Sequence, residues 1–294
     1  MFKKIVAIDH TGIEEFVKSD LESLCDELIM HNDIPKADQE IIERAKGADG
    51  LLVSWNTKVS RHVIESLPGL KYIGMCCSLI DEKSANVDIA AARENGVVVK
   101  GVRDYGDEGV VEFIISQLIS LYKGLNGTMM FDEQIELGNM KLGVVGLGTL
   151  GTMVADAANF FGMDIYYYNR NIKKSPYTYL ELNDLVETCD VITTHLPRNT
   201  VILGKHQFDV MGTEKVFINT GLSPSFEQAA FDEWINKGNN YAIFDKNGIT
   251  QLMKEKYTDI DNVIVKEIVT GFTRNARRRL AEKVIINLKS SHHI

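Results

Sequence analysis

The residues with the clearest chemical potential form a glycine-rich turn in the middle of the chain. A short apolar strand, 142–145, runs directly into the turn, and a helix-compatible stretch at 152–161 and a second apolar run at 165–168 follow it. Strand, G-x-G-x-x-G, helix and strand within about 30 residues indicate a dinucleotide site. The first glycine permits a tight turn, the second lets a pyrophosphate approach the backbone, and the third lets helix and strand pack closely. The positive end of the helix then faces the phosphates. The turn consists of Gly146, Leu147, Gly148, Thr149, Leu150 and Gly151.

The end of the second strand indicates which dinucleotide binds. An acidic residue there would bond the ribose 2′-OH of NAD, whereas an arginine accommodates the 2′-phosphate of NADP. This position holds Asn169, followed by Arg170. Because no carboxylate repels a phosphate and a guanidinium is adjacent, the sequence favours NADP. NAD remains the alternative, in which Arg170 is only a solvated loop cation.

The composition suits one or two globular domains. The 294 residues are 45% hydrophobic and carry a net charge of −9, which disfavours nucleic acid or an anionic membrane as a partner. No apolar run approaches the ~20 residues needed to cross a bilayer. The arginines at 274 and 277–279 fall on a predicted helix and indicate a solvated face.

A strand begins at Ile5, which leaves no room for a signal peptide, so we expect a cytoplasmic protein. The four cysteines are Cys25, Cys76, Cys77 and Cys189. They form no C-x-x-C pair, so the sequence predicts neither a metal site nor a disulfide framework.

Strand and helix signals alternate along the whole chain, which predicts an α/β fold built on parallel sheets. We expect one helix within Thr11–Met30, where apolar residues recur at helical spacing. A longer helix over Asp107–Lys123 is nearly hydrophobic all round, so it must be buried between domains or in a homodimer. A last predicted helix, 273–288, returns to the first domain. The apolar runs that indicate strands are 5–8, 51–53, 72–75, 97–99, 191–194, 216–219, 241–244 and 263–265.

Eight segments carry a family resemblance when they are taken in order. They are 67–74, 86–92, 109–113, 143–148, 161–163, 195–197, 218–220 and 262–265. Together they resemble the D-isomer-specific 2-hydroxyacid dehydrogenase family over nearly the whole chain. The resemblance implies two doubly wound parallel-sheet (Rossmann-like) domains and a homodimer. It also implies that an NAD(P)-binding domain, 101–271, is inserted into a substrate-type domain, 1–100 and 272–294. Its implied cofactor contacts beyond the glycine turn are His195, Leu196, Pro197, Thr220, Gly221 and Asp245.

The family's catalytic residues do not carry over. Where the resemblance implies an arginine, a glutamate and a histidine, this chain has Leu222, Thr250 and Ile268. Leucine cannot hold a carboxylate and isoleucine cannot donate a proton, and loss of a general acid alone costs roughly 10²–10⁴-fold. Lys266 and Glu267 flank the vacant histidine position, but Glu267 is one residue off and should point away in an extended segment.

Arg103 and Tyr105 are the best candidates for replacement catalytic residues. They follow a predicted strand on the hinge loop that borders the expected interdomain cleft, and an arginine can hold an anion while a tyrosine can donate a proton. In the alternative, Tyr105 packs and Arg103 pairs with Asp104 or Asp107.

Two functional hypotheses follow. In the first, the protein is an NAD(P)-dependent oxidoreductase with changed catalytic residues acting on an unknown small molecule. In the second, it is a catalytically inactive dinucleotide-binding sensor or partner protein. The glycine-rich turn supports both.

Overall fold

The computed structural model describes residues 1–291 and divides the chain into two compact units. Unit 1 comprises Met1–Tyr105 and the described residues from Arg274 onward, and unit 2 comprises Gly106–Thr273. The sequence places these boundaries at residues 100 and 271. The first boundary falls later because the last strand of unit 1 continues to Val102.

Helices and strands alternate as the sequence predicts. In chain order the elements are β1 (Phe2–Ala7), α1 (Glu14–Glu22), β2 (Cys25–Met30), α2 (Asp38–Arg44), β3 (Gly50–Val53), α3 (Arg61–Glu65), β4 (Tyr72–Ser78), α4 (Ile89–Glu94), β5 (Val98–Val102), α5 (Asp107–Lys123), β6 (Lys141–Val145), α6 (Thr149–Phe160), β7 (Asp164–Tyr168), β8 (Thr178–Tyr179), α7 (Leu182–Thr188), β9 (Val191–Thr194), α8 (Lys205–Met211), β10 (Val216–Asn219), α9 (Gln228–Ile235), β11 (Tyr241–Phe244), α10 (Gln251–Tyr257), β12 (Val263–Val265) and α11 (Arg274–Lys289).

Unit 1 is built on a parallel sheet with the strand order β2-β1-β3-β4-β5. The expectation of one helix over Thr11–Met30 is wrong in its second half. The helix ends at Glu22, and Cys25–Met30 forms an edge strand paired in parallel with β1. Leu24 and Leu28 fit a helical period and an extended strand equally well, so pairing with β1 decides the outcome.

Unit 2 is built on a second parallel sheet with the order β12-β11-β10-β9-β6-β7-β8. All its strand pairs are parallel, so their carboxyl ends lie along one edge of the sheet. The chain order reverses at β6, which pairs with β7 on one side and β9 on the other. A crevice beyond the strand ends at such a switch point is where ligands bind in this fold class.

The long apolar helix α5 is buried within unit 2 itself. Phe113, Ile114, Leu118 and Leu121 belong to the core cluster that includes residues of β6 and α6. The expectation that α5 is buried between domains or in a homodimer is therefore wrong for the residues in this cluster, and the homodimer itself stays a prediction. Across the described residues, no helix is long and apolar enough to cross a membrane.

Candidate dinucleotide site

The glycine turn joins β6 to α6, and two of its glycines permit close packing. Gly146 has a φ of 102°, and a Cβ there would lie 2.3 Å from the His195 carbonyl oxygen. A Cβ on Gly151 would lie 2.1 Å from the carbonyl oxygen of Gly146. No larger residue fits either position unless the backbone moves. The turn therefore fixes the start of α6 directly against the carboxyl end of β6.

The middle glycine faces open space. A Cβ added to Gly148 would meet no atom within 4 Å, and this residue begins α6 without a side-chain cap. The first N–H groups of α6 are thus left for another acceptor. Open space above a turn that ends in an uncapped helix fits a pyrophosphate.

One amide and two cations follow the end of β7, beside the glycine turn. The Asn169 side-chain oxygen accepts a hydrogen bond of 2.9 Å from the Leu147 N–H. Lys173 Nζ donates to the Leu147 carbonyl oxygen at 2.6 Å, and Arg170 is exposed. We refer to Asn169, Arg170 and Lys173 as the ribose corner, because they occupy the position expected to meet the adenosine ribose.

Lys173 is a site residue that the sequence reasoning missed. It comes back to the glycine turn because the Tyr167 hydroxyl donates to the Lys173 carbonyl oxygen at 2.8 Å and accepts from the Lys173 N–H at 3.1 Å. The available signal was the lysine pair at 173 and 174, shortly after Arg170.

The remaining predicted cofactor contacts lie at the ends of β9, β10 and β11. Burial lowers the pKa of His195 to about 4, so its ring is neutral near pH 7. Its Nε2 lies 3.1 Å from Thr193 Oγ1. Leu196 is half-buried against the core, and Pro197 is exposed. This strand end therefore offers neutral surface and no ready proton donor.

The hydroxyl of Thr220 is the strongest local sign of a missing ligand atom. Thr220 follows β10, and its Oγ1 is buried without a hydrogen-bond partner among the described residues. A buried hydroxyl left unpaired costs about 1–3 kcal/mol. The adjacent Gly221 N–H donates to Asn219 Oδ1 at 3.1 Å. A bound dinucleotide would supply the polar atom that Thr220 lacks.

Asp245 is a buried carboxyl group whose two oxygens accept hydrogen bonds from its own loop and from the loop after β12. It accepts from the N–H groups of Asn247 and Gly248 and from the N–H and hydroxyl of Thr270, at 2.8 to 3.2 Å. Burial raises its pKa above the usual range. Asp245 therefore ties the loop after β11 to the loop after β12.

The three positions where the resemblance implies catalytic residues hold side chains that offer no acid–base group near neutral pH. Leu222 and Ile268 are apolar and 53% and 55% exposed. The Thr250 hydroxyl caps α10 by accepting from the Met253 N–H at 3.3 Å. Glu267 points towards Lys254, with a carboxylate oxygen 3.1 Å from its Nζ.

The two replacement candidates lie in unit 1. Arg103 Nε donates to the Leu79 carbonyl oxygen at 2.8 Å, and a second guanidinium nitrogen donates to that of Ile80. Tyr105 packs against the unit 1 core, and its carbonyl oxygen accepts from Arg279 Nε at 2.9 Å. Arg103 thus holds the loop after β4 and retains unused N–H donors. A catalytic role for either residue stays a prediction.

We expect acidification to destabilise unit 2 through His195. A histidine with a pKa near 6.5 when unfolded and about 4 when folded binds its proton first in the unfolded chain. Its contribution to stability is therefore complete above pH ~6.5 and falls by roughly 2 kcal/mol between pH 7 and pH 5. Urea unfolding can be followed by the fluorescence of Trp234 in a Trp55→Phe background. The loss between the two pH values should shrink in His195→Gln, and an equal loss would contradict the assignment.

Comparison with known proteins agrees with this geometry. Residues 123–266 match the family model for the NAD-binding domain of D-isomer specific 2-hydroxyacid dehydrogenases. A D-3-phosphoglycerate dehydrogenase of Methanocaldococcus jannaschii is 30% identical over 220 residues, which cover 68% of this chain and only 41% of that protein. An aromatic 2-oxoacid reductase of Clostridium sporogenes is 26% identical over 282 residues, with 83% of each chain covered. The solved structure of a D-2-hydroxyisocaproate dehydrogenase shares the fold, with a TM-score of 0.81 at 21% identity over 98% of this chain and 96% of that one.

Proposed function

The chain belongs to the D-isomer-specific 2-hydroxyacid dehydrogenase family, and from this premise we propose that it is an NADP(H)-dependent oxidoreductase with altered catalytic residues and an altered substrate. The observation that carries the proposal is the ribose corner. Lys173 donates to the glycine turn, the exposed Arg170 follows the strand end, and that strand end carries an amide, Asn169, in place of a carboxylate. A phosphate monoester is attracted by this charge arrangement, whereas a free ribose hydroxyl gains little from it.

The residues of unit 2 would hold such a cofactor at three points. The glycine turn and the N-terminus of α6 bind the pyrophosphate, the ribose corner binds the 2′-phosphate, and Thr220 Oγ1 pairs with a polar atom of the nicotinamide half. A bound nicotinamide ring supplies or accepts a hydride. The neutral His195 shapes the neighbouring surface and transfers no proton at neutral pH.

A parallel fluorescence titration with NADPH and NADH tests the cofactor assignment. We expect NADPH to bind at least tenfold more tightly than NADH, since each charged hydrogen bond to the 2′-phosphate contributes about 1.5–3 kcal/mol. Equal affinities for NADPH and NADH would contradict the preference for NADP. If neither nucleotide bound, the proposed function itself would be wrong.

The second candidate function is a dinucleotide sensor without turnover. The exposed Leu222 and Ile268 favour it, because these apolar side chains replace the groups that would orient and protonate a 2-oxo acid. In this alternative the nucleotide binds and no substrate is reduced.

Variants of Arg103 and Tyr105 separate the two functions. If the protein is an enzyme that uses these residues, Tyr105→Phe and Arg103→Lys should each lower kcat by roughly 10²-fold or more at unchanged NADPH affinity. The matched control is Lys100→Met, which removes a cation from β5 outside the candidate set. Turnover that survives both changes would exclude these residues, and no turnover with a broad panel of 2-oxo acids and imines would favour the sensor.

A further inference from the structure

The connection between β7 and β8, residues 169–177, carries all three residues of the ribose corner. Its side chains occupy both backbone polar groups of Leu147, because Asn169 Oδ1 accepts from the N–H at 2.9 Å and Lys173 Nζ donates to the carbonyl oxygen at 2.6 Å. An ammonium group has three N–H donors. Within residues 1–291, Lys173 Nζ makes this one hydrogen bond, so two of its donors are left for a ligand.

Tyrosine hydroxyls tie this connection to the rest of unit 2 at two points. The Tyr167 hydroxyl donates to the Lys173 carbonyl oxygen at 2.8 Å and accepts from the Lys173 N–H at 3.1 Å. Further along, the Tyr177 hydroxyl donates to the Asp156 carboxylate on α6. The two anchors lie on β7 and α6, and α6 begins at the glycine turn.

The Tyr167 hydroxyl is well suited to hold Lys173 in place. Its side chain is buried in the core cluster that contains β6 and α6, and its ring packs edge-on against that of Tyr179, with 5.5 Å between the centroids. A hydroxyl on a buried ring cannot follow a moving segment, so the Lys173 backbone is held where Nζ reaches the glycine turn. Ordering a free lysine side chain costs conformational entropy. A lysine that is already in place binds a ligand more tightly, because part of this cost precedes binding.

We propose that Tyr167 is a positioning residue that sets the preference for NADPH over NADH by holding Lys173 towards the 2′-phosphate. The inference rests on the proposed function, since it assumes that the ribose corner meets this phosphate. Tyr167 acts through Lys173, because both hydrogen bonds of its hydroxyl go to the Lys173 backbone. NADH has no phosphate at this point and gains little from the position of Lys173.

Fluorescence titrations with NADPH and NADH test this role. Tyr167→Phe removes only the hydroxyl and should weaken NADPH binding about fivefold, the effect of one or two modest hydrogen bonds. Its affinity for NADH should stay within about twofold, which also shows that the variant is folded. The matched control is Tyr179→Phe, whose hydroxyl donates to Glu181 at 2.9 Å; it should bind both nucleotides as the parent does.

A double-mutant cycle shows whether Tyr167 acts through Lys173. In a Lys173→Ala background, Tyr167→Phe should change NADPH affinity by less than about twofold, because the side chain that it positions is gone. A purely structural role would instead give the same loss with and without Lys173 and would weaken NADH binding as well.

Limited digestion with trypsin reports on the same contact without any nucleotide. Cleavage after Lys173 or Lys174 should be at least about threefold faster in Tyr167→Phe than in the parent or Tyr179→Phe, because local opening exposes the chain to protease. If the parent binds NADPH and NADH equally, the proposed function is wrong and this inference with it. If the parent prefers NADPH, then an unchanged preference in Tyr167→Phe, additive losses in the double variant or unchanged cleavage would overturn the inference alone.

Discussion

The Arg170→Ala/Lys173→Ala double variant should bind NADPH about 100-fold more weakly than the parent protein, while its affinity for NADH stays within about threefold. The 2′-phosphate is the only group that distinguishes the two nucleotides, so a selective loss isolates the contact with the ribose corner. Each single variant should lose less than half of this binding free energy, because the cation that is left can shift towards the phosphate.

The two single variants should differ in whether they also weaken NADH binding. Lys173 also donates to the Leu147 carbonyl oxygen, so Lys173→Ala should loosen the glycine turn and weaken NADH binding slightly as well. Arg170 is exposed and makes no such bond within residues 1–291, so Arg170→Ala should affect NADPH alone. Lys123→Ala on α5 is a matched control with no expected effect on either nucleotide. An unchanged ratio of NADPH to NADH affinity in the double variant would show that the 2′-phosphate lies elsewhere.

Six of the seven strands of the unit 2 sheet could be predicted from the sequence, and the two-residue strand β8 was missed. β9, β10, β11 and β12 begin and end at the predicted residues, because a parallel strand covered on both faces is a continuous apolar run. The glycine turn could also be predicted, since Gly146 and Gly151 each meet a local packing requirement that excludes a Cβ. Both signals are contained within a few consecutive residues.

The features that the sequence could not predict depend on contacts between segments that are separated in the chain. Cys25–Met30 became a strand only because β1 offers an edge for pairing. Two hydrogen bonds between the Tyr167 hydroxyl and the Lys173 backbone hold Lys173 near the glycine turn. No rule of residue spacing predicts these bonds. The hydrophobic pattern of α5 instead suggested a missing partner, because the core that covers it comes from other elements.

Substituting the second and third glycines of the turn should separate stability from binding. Gly151→Ala places a Cβ 2.1 Å from the Gly146 carbonyl oxygen and 3.2 Å from Val144 Cγ1. Helix α6 must move away from β6, and overpacking of this kind costs about 1–3 kcal/mol or more. The gain in helix propensity from glycine to alanine, roughly 0.5–1 kcal/mol, does not offset it. We therefore expect Gly151→Ala to lose about 2 kcal/mol of unfolding free energy and at least tenfold in affinity for both nucleotides.

Gly148→Ala should instead leave the unfolding free energy nearly unchanged and weaken nucleotide binding. Its φ of −83° is accessible to alanine, and the added Cβ meets no protein atom within 4 Å. The unfolding free energy should stay within about 0.5 kcal/mol of the parent value. The space that the methyl group enters is the space proposed for the pyrophosphate, so NADPH and NADH should both bind at least tenfold more weakly. Urea unfolding and nucleotide titration on the same two samples measure both quantities. If Gly148→Ala bound nucleotides normally, the open space above the turn would not be the pyrophosphate site, whatever the stability of Gly151→Ala.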